Sequence, residues 1–118
     1  MKSYIKYFNE LKSVYQNQLD LTKKLGEIPE VFSRNVSKLL EMIYGEDKVD
    51  AKVFAQYVEF VPDQEPYYRL KQELLDFLGE DWQNSDLPSI IAKMAKSAYN
   101  RYKRIMDDHD RTETFRLG

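Results

Sequence analysis

Few residues in this sequence have the types and spacing that catalysis or metal binding requires. His109, within an Asp-Asp-His-Asp run, is the only histidine, and cysteine is absent. Without cysteine there can be no disulfide, thiolate nucleophile, sulfur-ligated zinc or iron–sulfur cluster. Glu73, Asp76 and Glu80 share one flank of a predicted helix, but they have neither a histidine partner nor a calcium-loop pattern. Such charged flanks are usually solvated, so we predict no catalytic residue, no metal site and no cofactor.

A cluster of basic residues is the clearest candidate for binding a polyanion. Residues 93–106 hold five basic side chains and no acidic one. The predicted nucleic-acid-binding residues are Lys93, Lys96, Tyr99, Arg101, Lys103 and Arg104. On a helix the three lysines fall close together with Tyr99 among them, an arrangement that could follow a phosphate backbone and stack a base. The alternative is a solvated lysine-rich face that pairs with acidic residues of the same chain.

The middle of the chain is acidic, although the formal net charge of the whole chain is only −2. Residues 26–92 contain fourteen acidic and six basic residues. A surface of this sign could mimic nucleic acid and inhibit a DNA- or RNA-handling enzyme. This is a further alternative to the leading hypothesis, which rests on the aromatic residues.

Aromatic residues make up 14% of the chain, more than a small helical core needs. Half-exposed Tyr and Trp are enriched in protein interfaces because they bury a large area at low entropic cost. The predicted contact residues are Tyr7, Tyr68, Trp82, Tyr99, Phe115 and Leu117. Our leading hypothesis is a small non-enzymatic regulatory or adaptor protein that binds another protein through these side chains. The alternative is an aromatic-rich core with its hydroxyl groups at the surface.

The elements that must position these residues are predicted to be helices. Apolar residues recur at steps of three and four in five segments, namely residues 4–25, 29–44, 50–61, 67–78 and 87–106. The third segment is also rich in β-branched and aromatic residues and would suit a strand. Pro29 fits the first turn of the second helix, and Asp50 fits the N-cap of the third. The residues placed to end helices are Gly26, Gly45, Pro62 and Gly79.

Together these patterns predict an all-α fold, a compact bundle of about five helices with mostly antiparallel neighbours. Residues 1–106 form a single helical domain, and residues 107–118 lose the periodicity and read as a polar, flexible C-terminal tail. No secretory signal or apolar run long enough to cross a bilayer is present, so we expect a cytoplasmic protein that does not bind membranes. A homodimer would align two of the basic faces.

Overall fold

Apolar residues at helical spacing form five α-helices in the described part of the chain. The computed structural model describes the backbone of residues 1–117 and the side chains of residues 1–108. The helices are α1 (Ile5–Leu21), α2 (Ile28–Tyr44), α3 (Ala51–Ala55), α4 (Gln72–Leu78) and α5 (Leu87–Leu117). Short 3₁₀ turns, Leu25–Glu27 and Gly79–Trp82, precede α2 and follow α4. None of the described helices is both long and apolar enough to span a membrane.

Several helix ends lie where local sequence signals predict them. Pro29 occupies the first turn of α2, and Gly45 ends that helix with a φ of 99°, a conformation that favours glycine. The Asp50 carboxylate accepts hydrogen bonds from the backbone N–H groups of Lys52 and Val53 at the start of α3. Gly79 follows α4 with a φ of 55°. The structure confirms these four predictions. Each could be made from the sequence because it depends on only a few adjacent residues.

The segment between α3 and α4 is a β-hairpin, so the all-α prediction is wrong here. The third helix ends at Ala55, well before Pro62, and the fourth begins at Gln72 rather than near Tyr67. Between them, β1 (Val58–Phe60) pairs antiparallel with β2 (Tyr68–Leu70). The facing residues are Val58 and Leu70, Glu59 and Arg69, and Phe60 and Tyr68. β-Branched and aromatic side chains favour strands, and Pro62 and Pro66 between them cannot continue a helix.

Two further boundaries differ from the sequence predictions. Helix α1 ends at Leu21, where the Thr22 hydroxyl donates to the Leu19 carbonyl oxygen at 2.6 Å, so Gly26 does not cap this helix. Helix α5 continues to Leu117 instead of ending at residue 106. Because a 31-residue helix is about 46 Å long, the molecule measures 55 × 25 × 25 Å. Its radius of gyration is 15.6 Å, above the roughly 13–14 Å expected for this length.

The core lies mainly between α1, α2 and α5, and the hairpin packs against α2. Its largest fully buried side chains include Leu19, Phe32, Leu39, Leu40, Ile91 and Met94. Each such side chain contributes about 1.5–3 kcal/mol through burial. The buried Tyr15 hydroxyl donates to the Met94 carbonyl oxygen at 2.6 Å and joins α1 to α5, and burial raises the pKa of Tyr15. The described residues are therefore mostly helical and compact, with one small sheet.

Candidate binding surfaces

Three aromatic contacts join the hairpin to α5 and to the turn that precedes it. The rings of Tyr67 and Tyr99 are stacked, with centroids 4.0 Å apart and planes at 7°. The rings of Tyr68 and Trp82 meet edge to face at 6.5 Å, and those of Phe60 and Tyr102 at 5.8 Å. We call these six residues the aromatic seam. All six are half-buried, so the seam is neither core nor fully exposed surface.

The backbone explains why these rings meet. Tyr99 and Tyr102 are three residues apart on α5 and therefore lie on the same side of the helix. The Tyr67 N–H donates to the Gln64 carbonyl oxygen, and the Tyr67 carbonyl oxygen accepts from the Val61 N–H. These bonds hold Tyr67 at a φ of 72°, a left-handed conformation that costs a tyrosine about 1–2 kcal/mol. Hydrogen bonds and ring stacking must offset this cost.

The environment of Tyr67 and Tyr68 keeps the hydroxyl groups of these two residues protonated. Burial raises the pKa of Tyr68. Desolvation also raises the pKa of Tyr67, and the negative charge of Glu65 raises it further, since the Tyr67 hydroxyl donates to that carboxylate at 3.3 Å. Tyr67 and Tyr68 therefore present neutral rings with polar tips.

The predicted protein-binding residues fall in separate places. Tyr68, Trp82 and Tyr99 all belong to the seam. Tyr7 instead packs against Tyr4, with centroids 6.5 Å apart, near the start of α1. The side chains of Phe115 and Leu117 lie outside the described residues.

Sequence reasoning missed the partners of these seam residues. Tyr67 and Phe60 are not among the predicted contacts, because only the hairpin register brings them to α5. Tyr102 follows the buried Ala98 by four residues within the predicted helix 87–106, so helical periodicity indicated that it faces the protein.

Four basic side chains of α5 form an exposed surface beside the seam. Lys93, Lys96, Lys103 and Arg104 are exposed, and within residues 1–108 none of them has a carboxylate within 4.0 Å. The Lys96 ammonium lies 5.5 Å from the Tyr67 ring centroid and 5.3 Å from that of Tyr99, within cation–π distance. We call these four residues the basic surface. In the part of the chain that the structure describes, intramolecular ion pairs do not neutralise it.

Arg101, which is also among the predicted nucleic-acid contacts, is placed apart from these four side chains by its contact with the end of α1. Its guanidinium donates from Nη2 to the Thr22 carbonyl oxygen at 2.6 Å, and its buried Nε has no hydrogen-bond partner among the residues that the structure describes. A cation at this position stabilises the carbonyl end of α1. The spacing contained the signal, since Arg101 follows the buried Met94 by seven residues and so lies on the same side of α5.

Asp81, at the end of the acidic middle segment, organises a cluster around the N-terminal residues. Its Oδ2 accepts hydrogen bonds from the hydroxyl groups of Tyr4 at 2.6 Å and Tyr44 at 2.7 Å. Its Oδ1 lies 3.1 Å from the Lys2 ammonium. The bonds from Tyr4 and Tyr44, with a smaller contribution from Lys2, lower the pKa of Asp81 to about 2. The pKa of Tyr44 is raised, mainly by burial and to a smaller extent by its hydrogen bond to Asp81.

Backbone contacts complete this Asp81 cluster. The Lys2 N–H donates to the Asn84 carbonyl oxygen at 2.9 Å, and the Asp86 N–H donates to the Lys2 carbonyl oxygen at 3.2 Å. The Asp86 carboxylate accepts from the Tyr4 N–H at 2.7 Å and the Ser3 hydroxyl at 2.9 Å. The carboxylates of Asp81 and Asp86 therefore hold the start of the chain on the loop before α5. Nothing in these contacts favours nucleic-acid mimicry.

The carboxylates considered as metal ligands are not brought together. Glu73 and Asp76 are exposed on α4, and Glu80 is exposed in the following 3₁₀ turn. Among the described residues no group of three or more His, Asp or Glu side chains could hold a metal ion. The His109 side chain lies outside those residues. Comparison with protein-family models, curated proteins and solved structures found no match.

Proposed function

We propose that this protein is a non-enzymatic regulatory or adaptor protein that binds a protein partner through the aromatic seam. The observation that carries the proposal is the concentration of six half-buried rings where the hairpin meets α5. Tyr and Trp are the side chains most enriched among residues that dominate binding energy.

Preorganisation supports this proposal. Each seam ring already contacts another ring, so a partner would not have to order flexible side chains, a step that costs about 0.5–1.5 kcal/mol per residue. The basic surface lies beside the seam, and Lys96 contacts it directly. This arrangement favours a partner that presents carboxylates next to apolar side chains, since complementary charge increases the association rate and specificity.

The test compares seam variants with a tyrosine variant outside the seam. Proteins captured by the chain from nuclease-treated lysate of its source cells are quantified for the wild type, Tyr67→Ala, Trp82→Ala and the control Tyr57→Ala, whose ring packs against Phe54 outside the seam. We expect both seam variants to lose the specific partner and Tyr57→Ala to keep it. Circular dichroism and thermal unfolding establish that each variant is folded. A partner set that is unchanged in both folded seam variants would contradict the proposal.

The second candidate function is binding of single-stranded nucleic acid, favoured by the basic surface, whose four cations have no ion pair within residues 1–108. Lys93 and Lys103 are ten residues apart, which corresponds to about 15 Å along α5, enough to reach two or three phosphates. The stacked Tyr67 and Tyr99 offer an aromatic platform of the kind on which bases stack. Such binding weakens steeply with salt. The logarithm of the binding constant falls by about 0.7 for each tenfold increase in salt concentration and each phosphate contact.

Fluorescence anisotropy with a labelled oligothymidylate at low and physiological salt tests this second function. We expect Lys93→Glu combined with Lys96→Glu to abolish binding and the exposed control Lys12→Glu to keep it. Equal binding by the double variant and the wild type, or no binding by the wild type at low salt, would exclude it. Salt separates the two functions because an aromatic interface depends little on ionic strength.

The remaining predictions are not carried by a specific contact. Acidic mimicry, cytoplasmic location and the antiparallel bundle arrangement of the helices stay predictions. A mimic would bind a basic partner tightly and would not bind DNA.

A further inference from the structure

Exposed apolar residues in the described part of the chain concentrate on α1. Leu21 is 76% exposed and Val14 is 52% exposed, and within residues 1–108 only Met1, at the chain start, is a more exposed large apolar residue than Leu21. The two are seven residues apart and so share one side of the helix. The half-buried Tyr7 precedes Val14 by another seven residues and extends the same line. We call Tyr7, Val14 and Leu21 the α1 stripe.

An open groove of about 530 Å³ runs beside this stripe, between α1 and α2. Leu11, Val14 and Met42 contribute its apolar part, and the polar side chains around it are Glu10, Gln18, Arg34, Asn35 and Lys38. The Asn35 amide donates to Gln18 Oε1 at 2.7 Å, which places these two residues at one height. Leu11 and Met42 also line this groove. Position 18 therefore lies beside 35 and position 11 beside 42, which means that α1 and α2 are antiparallel.

We propose that a second copy of this chain covers the α1 stripe in a two-fold dimer, with the two α1 helices antiparallel and the axis passing Val14. The stripe is suited to this symmetry because Tyr7 and Leu21 are equally far from Val14. Rotation places Val14 against Val14 of the second copy, and Tyr7 against its Leu21. Each apolar residue of the stripe thereby meets an apolar partner, as an isologous interface requires.

Charge complementarity distinguishes a second copy from other occupants. Glu10 lies four residues from Val14, which is about 6 Å along α1. The bond between Gln18 and Asn35 places Arg34 level with position 19 of α1, about 7.5 Å from Val14 in the opposite direction. Two-fold rotation about Val14 therefore brings Glu10 of one copy to the height of Arg34 of the other. The symmetry gives this match of height twice.

Arg34 is available for such a pair. Its only ion pair within residues 1–108 is with the exposed Glu30 at 4.0 Å, and exposed pairs of this kind contribute little. The interface is small. The stripe is about 21 Å long, and the face formed by α1 and α2 is about two helix diameters of 10 Å wide. Contact over this face buries about 400 Å² per copy, which is half of the area in a standard interface. We therefore expect a reversible dimer that forms at high protein concentration.

Sedimentation equilibrium over a wide concentration range measures the dimer directly. We expect the weight-average mass of the wild type to rise from the monomer toward twice that value. Val14→Asp raises the dissociation constant about tenfold or more because it buries a charge at the axis. Val53→Asp is the matched control, since Val53 is 39% exposed on α3, and it leaves the constant unchanged. A wild type that stays monomeric, or a Val14→Asp variant that dimerises equally, would overturn the proposal.

Two further variants test the symmetry. The chain has no cysteine, so Val14→Cys supplies a single thiol at the axis. We expect disulfide-linked dimers to form rapidly with Val14→Cys and only in small amounts with Val53→Cys.

The charge reversals Glu10→Arg and Arg34→Glu should each weaken the dimer about fivefold, and the double variant should restore it. Equal cross-linking at both positions, or no recovery in the double variant, refutes this geometry. Mass beyond the dimer, or saturation of the groove by a different protein while the chain stays monomeric, also contradicts it.

Discussion

Replacing Asp81 with asparagine tests whether this carboxylate fixes the N-terminal residues to the loop before α5. Asparagine keeps the size and one acceptor oxygen but removes the charge. Both hydroxyl groups, of Tyr4 and Tyr44, donate to Oδ2 at 2.6 and 2.7 Å, and the neutral amide oxygen of asparagine would accept the same two bonds more weakly than the charged carboxylate does. It also removes the ion pair with Lys2. We expect Asp81→Asn to be less stable than the wild type at neutral pH.

The pKa of Asp81 sets the magnitude of this effect. The folded protein lowers it from 3.8 to about 2, which at about 1.4 kcal/mol per pKa unit corresponds to at most about 2.5 kcal/mol. The Asp81 side chain is 17% exposed, so solvent screening reduces this contribution. We expect a loss of about 1–2 kcal/mol, which for 118 residues lowers the melting temperature by about 4–8 °C.

The sign of the pH dependence follows from the direction of the pKa shift. Because the folded state binds the Asp81 proton more weakly than the unfolded state, the stabilisation is fully present above about pH 4. It is lost as the pH falls from about 4 through the folded pKa of about 2, below which the carboxylate is protonated in both states. The difference between the wild type and Asp81→Asn should therefore be constant near neutral pH and should have lost most of its size at pH 2.

Urea unfolding at a series of pH values from 2 to 7 measures this difference. Trp82, the only tryptophan, adjoins the replaced residue and reports unfolding by fluorescence, and circular dichroism gives an independent signal. Asp63→Asn is the control, because Asp63 is exposed and its replacement should change stability by less than about 0.5 kcal/mol. The reasoning fails if Asp81→Asn matches Asp63→Asn, or if its deficit stays the same down to pH 2.

Two other substitutions test the helix ends. Arg101→Met removes the 2.6 Å bond to the carbonyl oxygen of Thr22, the residue that follows α1, and should lower the free energy of unfolding by about 1–2 kcal/mol. The exposed control Arg104→Met should change it by less than about 0.5 kcal/mol, and equal effects in urea titrations would argue against the capping role. Gly45→Ala forces a Cβ into a left-handed backbone at φ 99°, with the Asp47 carboxylate oxygen 2.7 Å away, and should cost about 1–3 kcal/mol. The control Gly26→Ala has no atom within 4 Å of the new Cβ, and thermal unfolding should separate the two variants.

Local signals predicted the elements whose ends depend on neighbouring residues. Pro29, Gly45, Asp50 and Gly79 act through their own backbone angles or hydrogen-bonding groups, so their roles are visible in the sequence. The hairpin is different. A three-residue strand has too few residues to show alternation, and it is stable only because a second strand, ten positions further along, pairs with it.

The candidate surfaces were predicted unevenly for the same reason. The exposed lysines of α5 follow from helical periodicity, and the structure keeps them exposed. Arg101 was assigned to that surface by its charge, but the end of α1 provides a carbonyl group that the helix alone does not reveal. Tyr67 and Phe60 were missed because their ring partners are more than thirty residues away.

The sequence by itself determined a mostly helical chain without cysteine, with a basic stretch in its last helix and more aromatic residues than its core requires. These properties depend on composition and short-range periodicity, which persist whatever the chain packs against. Only the tertiary structure decided which aromatic rings meet, that Asp81 holds the N-terminal residues, and that Val14 and Leu21 of the α1 stripe are exposed in the described part of the chain. Those outcomes depend on contacts between residues far apart in sequence, and the free energy of such contacts exists only once the chain has folded.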